Sequence, residues 1–173
     1  VGRLHSNRSA AIVAPLVNDE AGAELPRAFG QFPTVGRVAV GELNRLGHAI
    51  SRGALTSKVE ASSTTPVDWA SGACMLVRRS AIEKVGPMDE AFLASYQDVE
   101  WCHRMRANGF AILIEPTASC VMRARANSDA REGEVEARAA LRQDMLRYCV
   151  ATGESALIPA VAAGYRLETL LLG

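Results

Sequence analysis

A chain of 173 residues has the length of one domain and enough volume for a real core. With 49% hydrophobic, 22% charged and 5% aromatic residues it is composed like a soluble globular protein, which excludes collagen, a disordered tail and a disulfide miniprotein. Lys plus Arg equals Asp plus Glu at 19 each, so no net field draws the chain to nucleic acid or to an anionic membrane, and partner choice falls to a local site.

The first residues, Val1 to Ala11, resemble the end of a helix running into a strand. The chain starts at Val1 rather than Met, which fits a piece of a longer protein. Ala11 to Val17 is a short apolar run rich in β-branched residues and closed by Asn18-Asp19-Glu20, which predicts a buried strand and a turn. Pro15 places that strand at a sheet edge or a bulge. From Gly22 to Pro66 the composition is that of a loop-rich insertion, with one helical stripe through Val35, Val38, Leu43, Leu46 and Ile50.

Ala73 to Val77 is the next strand expected, and Ser80 is placed to cap a short helix carrying Ile82 and Val85 before the Gly86-Pro87 turn. A second helix follows with Asp98 as its N-cap, a Glu100–Arg104 pair four residues apart, and Gly109 as a left-handed stop. Phe110 to Ile114 predicts a buried strand, Glu115-Pro116 a turn, and Ala118 to Met122 a short strand. Alternating strands and helices favour an α/β layer fold. After Asn127 comes a charged amphipathic helix with Val135, Ala139, Met145, Leu146 and Cys149 on one face, ended by Gly153. The apolar tail offers only 11 uncharged residues, Ser155 to Tyr165, against about 20 for a membrane span. A helix packed on the domain, or else one resting on a membrane surface, is expected there.

Chemistry concentrates between Val67 and Arg104. Ser71-Gly72-Ala73 would let a ligand approach the backbone closely, because glycine has no side chain in the way; a tight lead into a strand explains it equally well. Asp98, at the positive end of a helix, sits where negative charge is favoured and a general base can be held, although capping alone also accounts for it. Glu100, two positions on, points elsewhere, which weakens a hydrolase built on Asp89 and Asp98 or Glu100. His103 has no second histidine four residues away and reads as structural. Cys102 and His103 point in different directions, so a nucleophilic dyad is not expected. Trp69 and Trp101 read as core or pocket-wall residues, Trp69 offering an indole face to a sugar ring. The four cysteines, Cys74, Cys102, Cys120 and Cys149, form no zinc-clip spacing and read as buried reduced thiols in a reducing compartment.

Three stretches together carry a resemblance: Val67-Asp-Trp-Ala-Ser-Gly-Ala-Cys-Met-Leu-Val-Arg-Arg79, Val85-Gly-Pro-Met-Asp-Glu90, and Gln97-Asp-Val-Glu-Trp-Cys-His-Arg-Met-Arg-Ala-Asn-Gly109. In order and spacing they resemble the C-terminal half of the family 2 glycosyltransferases, inverting enzymes of GT-A fold, and within them the rhamnosyltransferase-like branch. The resemblance covers roughly Ala11 to Val121. It implies a partial GT-A-like, Rossmann-like α/β domain with a mixed sheet over residues 1–127, lacking the N-terminal nucleotide-binding half, with helices added over 128–173. It further implies transfer of a sugar from a nucleotide-sugar donor to an acceptor hydroxyl, with a lipid-linked glycan as one acceptor class. Asp98 would be the general base, and Trp69, Ser71, Gly72 and Ala73 would line the substrate site. The complete family enzyme takes a divalent cation, Mg or Mn, on an Asp-x-Asp motif that this chain lacks, so no metal ligand is assigned here. A cytoplasmic location follows, at most peripheral to the inner face of the membrane, with the chain alone expected to be inactive. Two departures stand out: Gln97-Asp98 occupies the place of an acidic pair, and Cys120-Val-Met-Arg123 the place of a histidine. A non-enzymatic interaction module derived from such a half is the rival reading.

Overall fold

The computed structural model describes residues 2–25, 28–34, 63–123, 132–159 and 161–163, the first helical residues of the last long helix by backbone alone. The elements are α1 (Gly2–Ser6), β1 (Ala10–Asn18), β2 (Phe29–Gly30), β3 (Thr65–Val67), β4 (Trp69–Ala70), β5 (Leu76–Val77), α2 (Arg79–Val85), α3 (Gln97–Ala107), β6 (Ala111–Val121) and α4 (Glu132–Thr152). The predicted stripe from Val35 to Ile50 lies outside the described residues.

The main sheet has the order β3-β6-β1-β5. β1 and β6 run parallel, while β3 and β5 are antiparallel to their neighbours. The expected α/β class with a mixed sheet is therefore present. Parallel pairing buries both faces of β1 and of the first half of β6, which is why these stretches read as apolar runs rather than alternating ones. Ile12, Ile112 and Ile114 are fully buried, each contributing roughly 1.5–3 kcal/mol by leaving water. Around them gather Ala11, Ala14, Val67, Ala70, Ala81, Trp101, Cys102 and Met105, so α3 covers one face of the sheet.

Several sequence expectations change in detail. Glu115-Pro116 is not a turn: β6 is continuous from Ala111 to Val121 and bulges there, Pro15 pairing with Glu115 and Leu16 with Ser119. Proline on β1 has no N–H for the ladder, so the mismatch is absorbed by the bulge that Pro15 led one to expect, in a central strand rather than at an edge. The strand expected at Ala73 shrinks to Leu76–Val77, because the N–H groups before it bind side chains: Gly72 donates to Asp98 and Ala73 to Ser71 Oγ. Ser80 is not a cap; it lies inside α2, whose N-cap position is held by Arg78 with no side-chain bond. Arg78 instead reaches the start of the chain, donating to the carbonyls of Ala10 (2.7 Å), Asn7 (2.9 Å) and Leu4. It satisfies carbonyls that the end of α1 leaves without partners. Gly109 does stop α3, with φ 83°, a conformation that costs glycine nothing.

The second cluster joins α3 to α4 through Phe92, Val99, Tyr148, Cys149, Leu157 and Val161. The buried face of α4 agrees in part with the expected one: Cys149 is inside and Met145 packs against the cluster, as expected, and Asp144 and Tyr148 join them, whereas Ala139 and Leu146 face solvent and Val135 is among the residues whose side chains are not described. Asp144 lies one turn before Tyr148 and shares its face. Among the described residues, no helix is long and apolar enough to cross a membrane.

Glu115 is buried at the bulge and accepts hydrogen bonds from Thr117 Oγ1 (2.6 Å), Thr64 Oγ1 (2.8 Å) and Arg3 Nε (2.6 Å). These donors, the two threonines first, outweigh burial and lower its carboxyl from an ordinary 4.5 to about 2. Because the folded value lies below the unfolded one, the stabilisation is complete above about pH 4.5 and disappears as pH falls toward 2. Urea denaturation should therefore show wild type more stable than Glu115→Gln near neutral pH, with the gap closing across that acid window. A gap that is constant with pH would contradict the bonding described.

Candidate functional site

The site forms where the loop after β4 meets the start of α3. The helix begins after a left-handed residue, Tyr96, with φ 64°. Tyr96, not Asp98, takes the N-cap position, and its carbonyl accepts the N–H of Glu100 at 2.8 Å. A non-glycine residue in this conformation is uncommon and costs energy, and such residues gather at functional sites. Starting the helix early moves Asp98 to its second position. One carboxylate oxygen, Oδ1, accepts the N–H of Val99 at 2.9 Å, and Oδ2 leaves its own helix to accept the N–H of Gly72 at 2.8 Å. A carboxylate has about four lone-pair positions, so two are spent on holding it and two remain for a hydroxyl. The group is half-buried, neither turned into bulk water nor sealed under aliphatic side chains.

Opposite Asp98, Ser71, Gly72 and Ala73 make a short turn. Ser71 N donates to Ala28 O at 2.8 Å and Ser71 Oγ accepts the N–H of Ala73 at 3.2 Å, so the turn is fixed at both ends. The structure thus brings Asp98 and Ser71-Gly72-Ala73 together. A Cβ on Gly72 would stand 3.8 Å from Asp98 Oδ2 and 3.8 Å from Met88 Cε. It would fit the fold and stand over the carboxylate. Gly72→Ala is accordingly expected to leave thermal stability within about 0.5 kcal/mol of the parent, while its methyl crowds the approach to Oδ2. A melting curve would check the first expectation.

Trp69 lies on β4, two residues before Ser71. Its indole N–H donates to Gln31 O at 3.1 Å, and its ring covers Gly30, where an added Cβ would come within 3.1 Å. The ring packs between the two apolar clusters. Beside it, Asp68 accepts the N–H of Phe32 at 3.0 Å and pairs with Arg106 at 3.5 Å, tying β2, β4 and α3 together.

The remaining motif residues serve the frame. Trp101 Nε1 donates to Gly86 O at 2.8 Å, and Arg104 donates to Val85 O at 2.5 Å and Pro87 O at 2.8 Å. Glu100, only 4% exposed, holds Arg104 Nε at 2.6 Å. The Val85-Gly-Pro stretch and the α3 motif are thus one clamp, and the expected Glu100–Arg104 pair is present within it. With Glu100 turned into the core and Asp89 exposed and bonded to its own turn through Ala91 N, no second carboxylate of the hydrolase reading joins Asp98.

Cys102 lies beneath the turn, its thiol against Ala70 O at 3.9 Å. Burial pushes that thiol up to about 12, with Asp98 and Glu100 adding to the effect, which makes it a poor nucleophile. His103 instead packs against the Phe32 ring at 5.1 Å and the Tyr148 ring at 6.2 Å. The dyad is absent, as the sequence implied. Cys74 departs from the buried-thiol expectation: it is exposed, because its segment is a loop rather than a strand.

Two features escaped the sequence reading. Ser95 Oγ and Gln97 Oε1, on either side of Tyr96, are buried without a hydrogen-bond partner. Asp144, fully buried on α4, accepts the N–H groups of Leu93 (2.8 Å), Ala94 (2.7 Å) and Ser95 (2.9 Å), fixing the loop that leads into α3. Burial alone would raise the Asp144 carboxyl, but these three donors, with Arg147 nearby, hold it below its ordinary value. Its signal was available in the spacing to Tyr148, since a charge on the buried face of a helix needs partners. Among the described residues, no three His, Cys, Asp or Glu side chains converge as a cation site. The residues present do not fit the divalent cation implied by the resemblance.

Sequence comparison gives this geometry a class: the chain is distantly homologous to glycosyltransferases. It is 32% identical, over 127 residues, to the N-acetylglucosaminyl-diphospho-decaprenol L-rhamnosyltransferase of Mycobacterium tuberculosis, in the CDC 1551 and H37Rv strains alike. That match takes in 71% of this chain and 40% of the mycobacterial protein. A 47-residue segment is 38% identical to a low-salt glycan biosynthesis hexosyltransferase of Haloferax volcanii, covering 27% of this chain and 15% of that protein. The chain therefore spans less than half the length of the curated relatives it matches. No family model matches the sequence.

Proposed function

We propose that this chain is the acceptor-side part of an inverting family 2 glycosyltransferase of GT-A type, and that Asp98 is its general base. The observation that carries the reading is the carboxylate itself. It is half-buried, fixed by the N–H groups of Val99 and Gly72, and retains lone pairs for an incoming hydroxyl. A base that removes a proton during attack must be held within hydrogen-bond reach of the hydroxyl, and two backbone bonds provide that rigidity. A single displacement with inversion needs one such base, so the turning away of Glu100 is compatible with this chemistry and unfavourable to a glycosidase pair.

Ser71, Gly72 and Ala73 offer a backbone surface on which donor and acceptor can meet, and Trp69 the nearby indole wall. The mycobacterial relative is named for rhamnosyl transfer onto N-acetylglucosaminyl-diphospho-decaprenol, which supports a lipid-linked glycan acceptor; a nucleotide-sugar donor and a peripheral position at the cytoplasmic face of a membrane belong to the same proposal. No step is routed through a cation, because among the described residues no three His, Cys, Asp or Glu side chains converge to hold one. The test is sugar transfer by this chain joined to a nucleotide-sugar-binding half. Transfer with inverted anomeric configuration that depends on Asp98 is expected; retained configuration would overturn the reading.

A further inference from the structure

Asp98 reaches across the fold because α3 starts where it does. An aspartate at a helix N-cap spends its side chain on the N–H groups of its own first turn, whereas Asp98 Oδ2 accepts the N–H of Gly72, 26 residues away, at 2.8 Å. The difference is set by Tyr96, whose left-handed backbone, φ 64°, precedes the helix and whose carbonyl accepts the N–H of Glu100 to open it. A residue other than glycine pays for that conformation, so the surroundings have to hold it there. Both holds come from α4. Asp144 Oδ2 accepts the N–H of Ser95, the residue before Tyr96, at 2.9 Å. One turn further on, the Tyr148 ring meets the Tyr96 ring with centroids 5.6 Å apart and planes at 43°, within the range over which aromatic pairs attract. Tyr148 is fully buried and belongs with Val99 to the cluster that joins α3 to α4. The helix Glu132–Thr152 lies beyond the stretch that carries the family resemblance, yet it acts on the start of α3.

We propose that Tyr96 and Tyr148 are positioning residues for Asp98. The buried ring of Tyr148 pins the ring of Tyr96, the pinned ring keeps the backbone left-handed, and that turn sets Asp98 at the second position of α3 with Oδ2 aimed at Gly72. Any catalytic consequence rests on the general-base role proposed above, whereas the positioning itself does not.

The experiment reads the Asp98–Gly72 bond in the folded chain by proton–nitrogen NMR. An N–H that donates to a charged carboxylate makes a strong bond that weakens when the carboxyl is protonated, and the amide proton shift follows the titration. Gly72 should show this titrating shift in wild type and in Tyr96→Phe, which keeps the ring. Tyr96→Gly adopts the left-handed turn without strain and should fold, but no ring then enforces the turn, and the titrating shift should drop to about half or less. Tyr148→Leu, which withdraws the contact from the other side, should produce the same loss, while the amide of Met105 on α3 keeps its wild-type position in all three variants. A full Gly72 titration in either Tyr96→Gly or Tyr148→Leu, its loss in Tyr96→Phe, or a disturbance as strong at Met105 as at Gly72 would overturn the proposal. In the chain joined to a nucleotide-sugar-binding half, Tyr96→Gly should lower kcat about tenfold with KM little changed. Lost titration with unchanged kcat would strike Asp98 as the base and leave the positioning standing.

Discussion

Asp98→Asn is expected to lower sugar transfer by at least about a hundredfold, the usual scale for removal of a general base. The structure adds a cost that capping alone would not suggest. Both carboxylate oxygens accept backbone N–H groups, from Val99 and from Gly72. Asparagine presents one oxygen and one NH2, so whichever way it turns, one N–H faces another donor. A stability loss of about 1–2 kcal/mol should accompany the loss of activity. The two effects separate in a paired experiment, with transfer measured below the unfolding transition and stability measured by urea. Unchanged turnover would remove Asp98 from its role, whatever the stability.

Asp144→Ala is expected to lower stability by about 3 kcal/mol. Three N–H groups would lose a charged acceptor at once, and charge-assisted bonds are the strong ones. Leu93 is 63% exposed, so the freed loop can recover part of this cost by turning to water. Asparagine retains one carbonyl oxygen and should recover part of the remainder. Amide exchange at Leu93, Ala94 and Ser95 offers the direct check, because protection there should fall before the core opens. Since Tyr96 and then Asp98 follow this loop, transfer should weaken in the same variant. Protected amides in Asp144→Ala would show that the loop is held by something else.

Much of the frame was legible because its signals are local. The apolar runs at Ala11–Val17 and Phe110–Ile114 became β1 and the first half of β6, and Gly109 ended α3 where its left-handed conformation required. The meeting of Asp98 with Ser71-Gly72-Ala73 was not legible from spacing, since it depends on how a loop and a helix pack across the fold; the family resemblance brought those residues together instead. What failed did so for long-range reasons. The strand before Leu76 is shortened because a side chain 26 residues away takes the Gly72 N–H. Asp98 lost its capping position to the left-handed turn at Tyr96, a bulky residue that carries no sequence preference for that conformation. On α4 hydrophobicity found Met145 and Cys149 but also pointed to Leu146, which is exposed, and missed Asp144, whose partners lie on a distant loop.

The parallel pairing of β1 with β6 has a consequence for biosynthesis. β1 is separated by roughly a hundred residues from its long partner, which begins at Ala111, and among the described strands the two-residue β5 is its other neighbour. Loop closure over such a distance is slow, and an apolar strand waiting in that state is open to association with other chains. Nascent chains stalled before Ala111 should therefore be held by chaperones or aggregate, and release should coincide with emergence of the second parallel strand.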